Sequence, residues 1–91
     1  MGQAITDNKS AKRFELVEEG HAAYADYRID GGILYINYVF SPPELRGKGT
    51  AGRLMEGIAA SARSQNFKLY PICGYAAAWL GRHGEHGDLL A

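Results

Sequence analysis

The residues of this 91-residue chain with the plainest chemical meaning are Arg46-Gly47-Lys48-Gly49-Thr50-Ala51-Gly52, where three glycines and two cations precede a segment of helical periodicity. The first N–H groups of a helix have no partner within it, and the helix dipole adds partial positive charge, so such a start binds anions. Gly47 and Gly49 let the backbone approach a phosphate closely, and Arg46 and Lys48 can neutralise it. The expected chemistry is recognition of a phosphate or pyrophosphate.

Three phosphate patterns compete for these residues. A P-loop requires a further glycine upstream of Gly47-Lys48-Gly49-Thr50 that the chain lacks. Gly47-x-Gly49-x-x-Gly52 satisfies a dinucleotide fingerprint, but Pro42 to Arg46 separates it from the preceding strand. No acidic residue lies about 20 positions further on, where Leu69 to Cys73 sit. The third pattern, Arg/Gln-x-x-Gly-x-Gly/Ala, is met by Arg46, Gly49 and Ala51.

Candidates for bond-making are fewer. Cys73 is the single cysteine; it reads either as a small hydrophobe at a strand end or as a nucleophile activated by the helix that follows. Tyr38, Tyr70 and Tyr75 could give a proton to a leaving group, although six tyrosines in a small chain are mostly sheet and core residues. His83, Glu85 and His86 invite a metal reading together with Cys73. The surrounding glycines make a poor rigid ligand set and no second cysteine completes a zinc pattern, so no metal is expected.

The elements that must position these groups follow from period and punctuation. Residues 1–11 are polar and aperiodic and read as a flexible tail, with one folded domain over 12–91. Arg13 to Val17 alternates, Glu18-Glu19-Gly20 turns, and a second alternating run spans His21 to Asp30. Asp30-Gly31-Gly32 turns again into Ile33 to Phe40, which completes a three-stranded meander. Pro42-Pro43 ends the third strand. Ala51, Leu54, Met55, Ile58, Ala59 and Ala62 then form the apolar stripe of a helix over about Thr50 to Gln65, which stops at Asn66. Lys68 to Cys73 reads as a strand with Pro71 marking an edge, bulge or splay; Tyr75 to His83 reads as a short helix, and the rest as an irregular tail. A strand-helix-strand crossover makes its two strands parallel, so the glycine loop and Cys73 should face one crevice at the same sheet edge.

On these residues the chain resembles the GNAT acetyltransferase superfamily, in particular a very small single-domain branch of it. The resemblance runs from about Phe14 to Leu90 and is most specific in Pro42-Pro43-Glu44-Leu45-Arg46-Gly47-Lys48-Gly49. It continues through Pro71-Ile72-Cys73, Ala76-Ala77-Ala78-Trp79-Leu80 and Arg82-His83. It implies an α/β (α+β) fold of the GNAT kind: a mostly antiparallel sheet with a β-helix-β unit and a short C-terminal helix. It also implies acetyl-coenzyme A as cofactor, with the pyrophosphate on Arg46, Gly47, Lys48, Gly49, Thr50, Ala51 and Gly52. The pantetheine arm is then expected along Val39, Phe40 and Ser41. A thiol at Cys73 would lie near the acetyl group, which makes it the candidate catalytic residue. Members of the branch often carry His-Thr-Glu-Val before the two prolines, where this chain has Tyr38-Val39-Phe40-Ser41. The missing glutamate removes a candidate base, so coenzyme binding is better supported than transfer.

Composition fits. Hydrophobic residues make up 46% of the chain and charged residues 22%, which excludes fibrous, low-complexity and mostly disordered classes. Ten Lys plus Arg balance ten Asp plus Glu, so no overall field recruits nucleic acid or an anionic membrane. No apolar run reaches the roughly 18 residues of a membrane span, and one thiol fits a reducing cytoplasm. The expected function is acetyl-CoA-dependent N-acetyl transfer to an unknown amine or protein acceptor by a monomer or weak dimer. A non-catalytic CoA-binding or protein-interaction module is the second reading, and a nucleotide binder preferring NAD the third.

Overall fold

A computed structural model describes residues 5–91. The chain runs β1 (Thr6–Asn8), β2 (Arg13–Glu18), β3 (His21–Asp30), β4 (Ile33–Phe40), a 3-10 turn (Pro43–Leu45), α1 (Thr50–Gln65), β5 (Lys68–Pro71), α2 (Gly74–Arg82) and a 3-10 segment (Gly84–Leu89). One sheet takes the order β1-β2-β3-β4-β5. Its first four strands pair antiparallel and β5 joins β4 in parallel, the α+β arrangement expected from the crossover.

Two-residue turns with positive φ drive the meander. Glu19 (φ 53) and Gly20 (φ 77) join β2 to β3, and Gly31 (φ 59) and Gly32 (φ 78) join β3 to β4. Such turns match the right-handed twist of their strands. One sheet face is apolar: Phe14, Leu16, Ala23, Ala25, Tyr27, Leu34, Ile36 and Leu69 are buried against Leu54, Met55, Ile58, Ala59 and Ala62 of α1. Ala76, Trp79 and Leu80 of α2 and Leu89 complete this core. Both helices therefore cover the same face. The register between β3 and β4 shifts at Asp26/Tyr27, which leaves Asn37 as an extra residue on β4. The bulge flips the alternation, so Leu34 and Ile36 are buried before it and Val39 packs on the core after it.

α1 begins and ends where its sequence predicts. Asn66 closes it in the left-handed conformation (φ 61), with its N–H on the Ala62 and Arg63 carbonyls and Phe67 N–H on Ala62 O at 2.8 Å.

The ends differ from the sequence reading. Residues 1–4, part of the expected tail, lie outside the described residues, but Thr6–Asn8 is a strand, paired with residues 13–15. Its anchor is distant in sequence: the Tyr27 hydroxyl on β3 donates to Asp7. The strand expected to reach Cys73 ends at Pro71, and the second helix is shifted by one residue. The expected C-terminal tail is instead packed: Leu89 is buried, Leu90 bridges Leu69, and Ala91 N–H donates to Leu69 O at 2.9 Å.

Candidate functional site

The loop from Arg46 to Gly49 is shaped by two left-handed glycines, Gly47 (φ 80) and Gly49 (φ 79), a conformation that costs other residues steric strain. Gly49 is the N-cap of α1 and no side chain caps the helix. The helical ladder begins with Arg53 N–H on Gly49 O at 3.1 Å, so the N–H groups of Thr50, Ala51 and Gly52 have no partner in the helix.

The loop is held from outside by β2. The Glu18 carboxylate accepts Thr50 Oγ1 at 2.6 Å and Arg53 through both oxygens, Nε and Nη2 each at 2.7 Å. Arg53 Nη2 also donates to Lys48 O at 2.9 Å, so the pair reaches the loop backbone. Glu18 has only 9% of its side chain exposed. The Arg53 hydrogen bonds, and then that of Thr50, pull its pKa down to about 2 despite the burial that opposes ionisation. Arg53 is held charged by the same bonds. Thr50, buried at the start of α1, is thereby satisfied without capping its own helix. Lys48 Nζ meets Glu19 at 2.7 Å, and Arg46 Nε donates to Ser41 O at 3.1 Å across the loop.

Beside this helix start lies a pocket of about 230 Å³. Ser41 and Leu45 line it with Arg46, Gly47, Gly49, Thr50, Ala51 and Gly52, and Tyr75 of α2 closes one side. Ser41 Oγ is shielded from solvent and has no hydrogen-bond partner among the described residues. A buried hydroxyl without a partner is costly and marks a place where a ligand can supply one.

Next to the pocket the sheet opens. Ile36 O accepts the N–H groups of both Ile72 and Cys73 at 3.0 Å, and the parallel ladder with β5 reaches no further than Ile36 and Pro71. β4 continues through Phe40, so residues 37–40 have no ladder partner on the β5 side among the described pairs. The splay arises because β5 ends at Pro71 and the chain turns into α2.

Of the residues singled out from sequence, the structure gathers Ser41, Arg46, Gly47, Gly49, Thr50, Ala51 and Gly52 around one pocket. Lys48 is turned to Glu19, Val39 packs on the core, and the Phe40 ring rests on Tyr24 with centroids 5.2 Å apart. Cys73 is the N-cap of α2, half-buried against the core, and is not among the lining residues. No local signal in the sequence links Glu18 to Arg53, because they meet across 35 residues and only the fold brings them together. Tyr75 lines the pocket, and partial burial raises its pKa above the ordinary phenol value.

The sequence pattern of the family described as GCN5-related N-acetyl-transferase matches residues 13–89. The fold superimposes on the NMR solution structure of a GCN5-like protein from Staphylococcus aureus with a TM-score of 0.77, over 99% of this chain and 89% of that one, at 24% identity. No curated protein matches the chain.

Proposed function

The chain belongs to the GCN5-related N-acetyltransferase family, and on that premise we propose that it binds acetyl-coenzyme A at the glycine loop and transfers the acetyl group to an amine. The observation that carries this reading is one pocket that combines uncapped N–H groups at the start of α1, two left-handed glycines and the unpartnered Ser41 hydroxyl.

These residues fit the coenzyme's chemistry. A pyrophosphate suits backbone N–H donors at a helix start, with Arg46 beside them as a counter-charge. The unpaired edge of β4 at Val39 and Phe40, with Ser41 just beyond it, suits an arm carrying amides, which can hydrogen-bond to a strand edge as an added strand does. When bound, the coenzyme supplies an acyl group activated as a thioester. The chain's task is then to hold the carbonyl, admit the amine as its free base, and let the proton that nitrogen loses on forming the amide be balanced by one delivered to the departing sulfur, directly or through a protein hydroxyl. Tyr75 lines the pocket, and its phenol hydroxyl, protonated at neutral pH like any tyrosine's, is the candidate donor for that last step. Cys73 lies beside the splay, its N–H on Ile36 O and its side chain partly buried against the core; direct attack by the amine needs no such nucleophile and is the simpler route.

No helix among the described residues is long and apolar enough to cross a membrane. A single thiol suits a reducing compartment such as the cytoplasm. With two helices on one face, much of the acceptor's surroundings is left to the acceptor itself or to a partner chain. The test is release of free coenzyme A thiol when the protein meets acetyl-CoA and a panel of amines: a polyamine, a lysine peptide and an intact protein. Release that depends on the amine and disappears in Gly49→Trp supports the reading. Binding without release for any amine favours a non-catalytic coenzyme-binding module.

A further inference from the structure

Away from the glycine loop, three side chains from separate elements converge. Glu56 comes from the middle of α1, His83 from the C-cap of α2, and Glu85 from the 3-10 segment that follows. One ligand atom of each lies within 4.8 Å of the others. We propose that they form a binding site for a divalent transition-metal ion of the zinc class. This inference does not rest on the acetyl-transfer reading.

The partners of these side chains favour ligation. His83 Nδ1 lies 2.7 Å from Trp79 O. A carbonyl only accepts, so Nδ1 carries the proton and Nε2 of the neutral ring keeps its lone pair. Metal-binding histidines are commonly oriented in this way, one nitrogen held by a carbonyl and the other free to ligate. The ring is also fixed in its plane, stacked on Trp79 with centroids 3.8 Å apart and 13° between planes. Glu56 is oriented likewise. Arg63 only donates, so His86 Nδ1, 3.3 Å from Arg63 Nη2, is an acceptor. His86 Nε2 therefore carries the proton it gives to Glu56 Oε1 at 2.9 Å. Among the described residues Glu56 Oε2 has no hydrogen-bond partner.

Two carboxylates brought this close repel one another, and a cation bound between them relieves the repulsion. One imidazole and two carboxylates suit borderline ions such as Zn²⁺, Co²⁺ or Ni²⁺ better than Mg²⁺ or Ca²⁺, which prefer all-oxygen ligands. Three protein ligands leave a position for water. Cys73 has no part in this set; the ligand that His83 and Glu85 lacked on paper is Glu56, 27 positions before His83 and on another helix. A bound ion would clamp the segment Gly84–Leu89 to both helices. It would also brace Trp79, whose Nε1 lies 3.5 Å from where a Cβ on Gly52 would stand.

The test uses the untagged full chain after chelator treatment. Zn²⁺ is titrated by calorimetry, the Co²⁺ adduct is followed by its visible spectrum, and melting is recorded with Zn²⁺, Mg²⁺ and Ca²⁺. The expected result is one ion per chain, with Tm raised by roughly 5 °C or more at a hundredfold excess over Kd. Zn²⁺ affinity should fall at least tenfold in both His83→Ala and Glu85→Gln. Glu85 is exposed, so its variant is informative even if loss of the His83 ring disturbs folding. Absence of Zn²⁺ binding by the wild type overturns the proposal, as does undiminished affinity in Glu85→Gln or in a folded His83→Ala.

Discussion

Glu18 and Arg53 form a two-point ion pair, both contacts at 2.7 Å, that ties the end of β2 to the first turn of α1. Through Arg53 Nη2 on Lys48 O the same pair reaches the backbone that would face an anion. Glu18 thus braces the loop from behind and is not among the residues that line the pocket. Glu18→Gln keeps the shape but removes the negative charge of the pair and weakens the hold on Thr50. It should lower Tm by roughly 3 to 8 °C and acetyl-CoA affinity several-fold, measured by calorimetry. An unchanged affinity would remove Glu18 from the positioning role.

The same pair sets an acid dependence. The carboxyl of Glu18 titrates near 2 in the folded chain against 4.5 ordinarily. A depressed pKa means that its contribution is present above pH 4.5 and is lost as pH falls from there toward 2. Asp88, lowered by Arg63, loses its contribution in the same direction. The stability difference between wild type and Glu18→Gln isolates Glu18. Followed by urea unfolding, it should be flat above about pH 5 and should shrink as the acid range is crossed. A difference independent of pH would contradict the ion-pair assignment.

Much of this architecture is legible in the chain because its signals are local. Alternation gave β2, β3 and β4, and a stripe of apolar residues gave α1 to the residue, with Asn66 as its stop. The glycine loop announced the pocket because φ preference and helix-start chemistry are properties of a few adjacent residues. What stayed hidden depends on distant partners. β1 is three residues long and is held by Tyr27 reaching Asp7, and the C-terminal segment is fixed by Leu89 in the core and Leu90 beside Leu69. No period or composition marks such contacts. The sequence places Cys73 on the last strand, but β5 ends early at Pro71 and Cys73 instead caps α2 beside the splay, partly buried against the core.

Ser41 offers a test that separates binding from folding. Its hydroxyl is shielded and unpartnered, so Ser41→Ala should leave Tm unchanged or slightly raised, since the folded chain no longer bears an unsatisfied group. Acetyl-CoA affinity should fall several-fold. Lost stability with unchanged affinity would mean that the hydroxyl serves the fold.

Cys73 and Tyr75 divide the two chemical routes. Tyr75→Phe should lower kcat by roughly 10-fold or more while coenzyme affinity stays within a few fold. Cys73→Ala should retain turnover, because direct attack by the amine needs no thiol. Abolished turnover in Cys73→Ala, together with an acetyl adduct on wild-type Cys73 by mass spectrometry, would reverse the assignment.

Whether the start of α1 is a coenzyme cradle is decided by parallel calorimetric titration of acetyl-CoA, CoA and NAD into wild type and Gly49→Trp. Gly49 has φ 79, and even a Cβ there would stand 3.1 Å from Arg53 Nη1, so an indole must intrude on the loop. The expected result is selective binding of acetyl-CoA and CoA by wild type, no comparable NAD binding, and loss of coenzyme binding in a folded Gly49→Trp. Absence of coenzyme binding by wild type, or equal affinity in the variant, would contradict it.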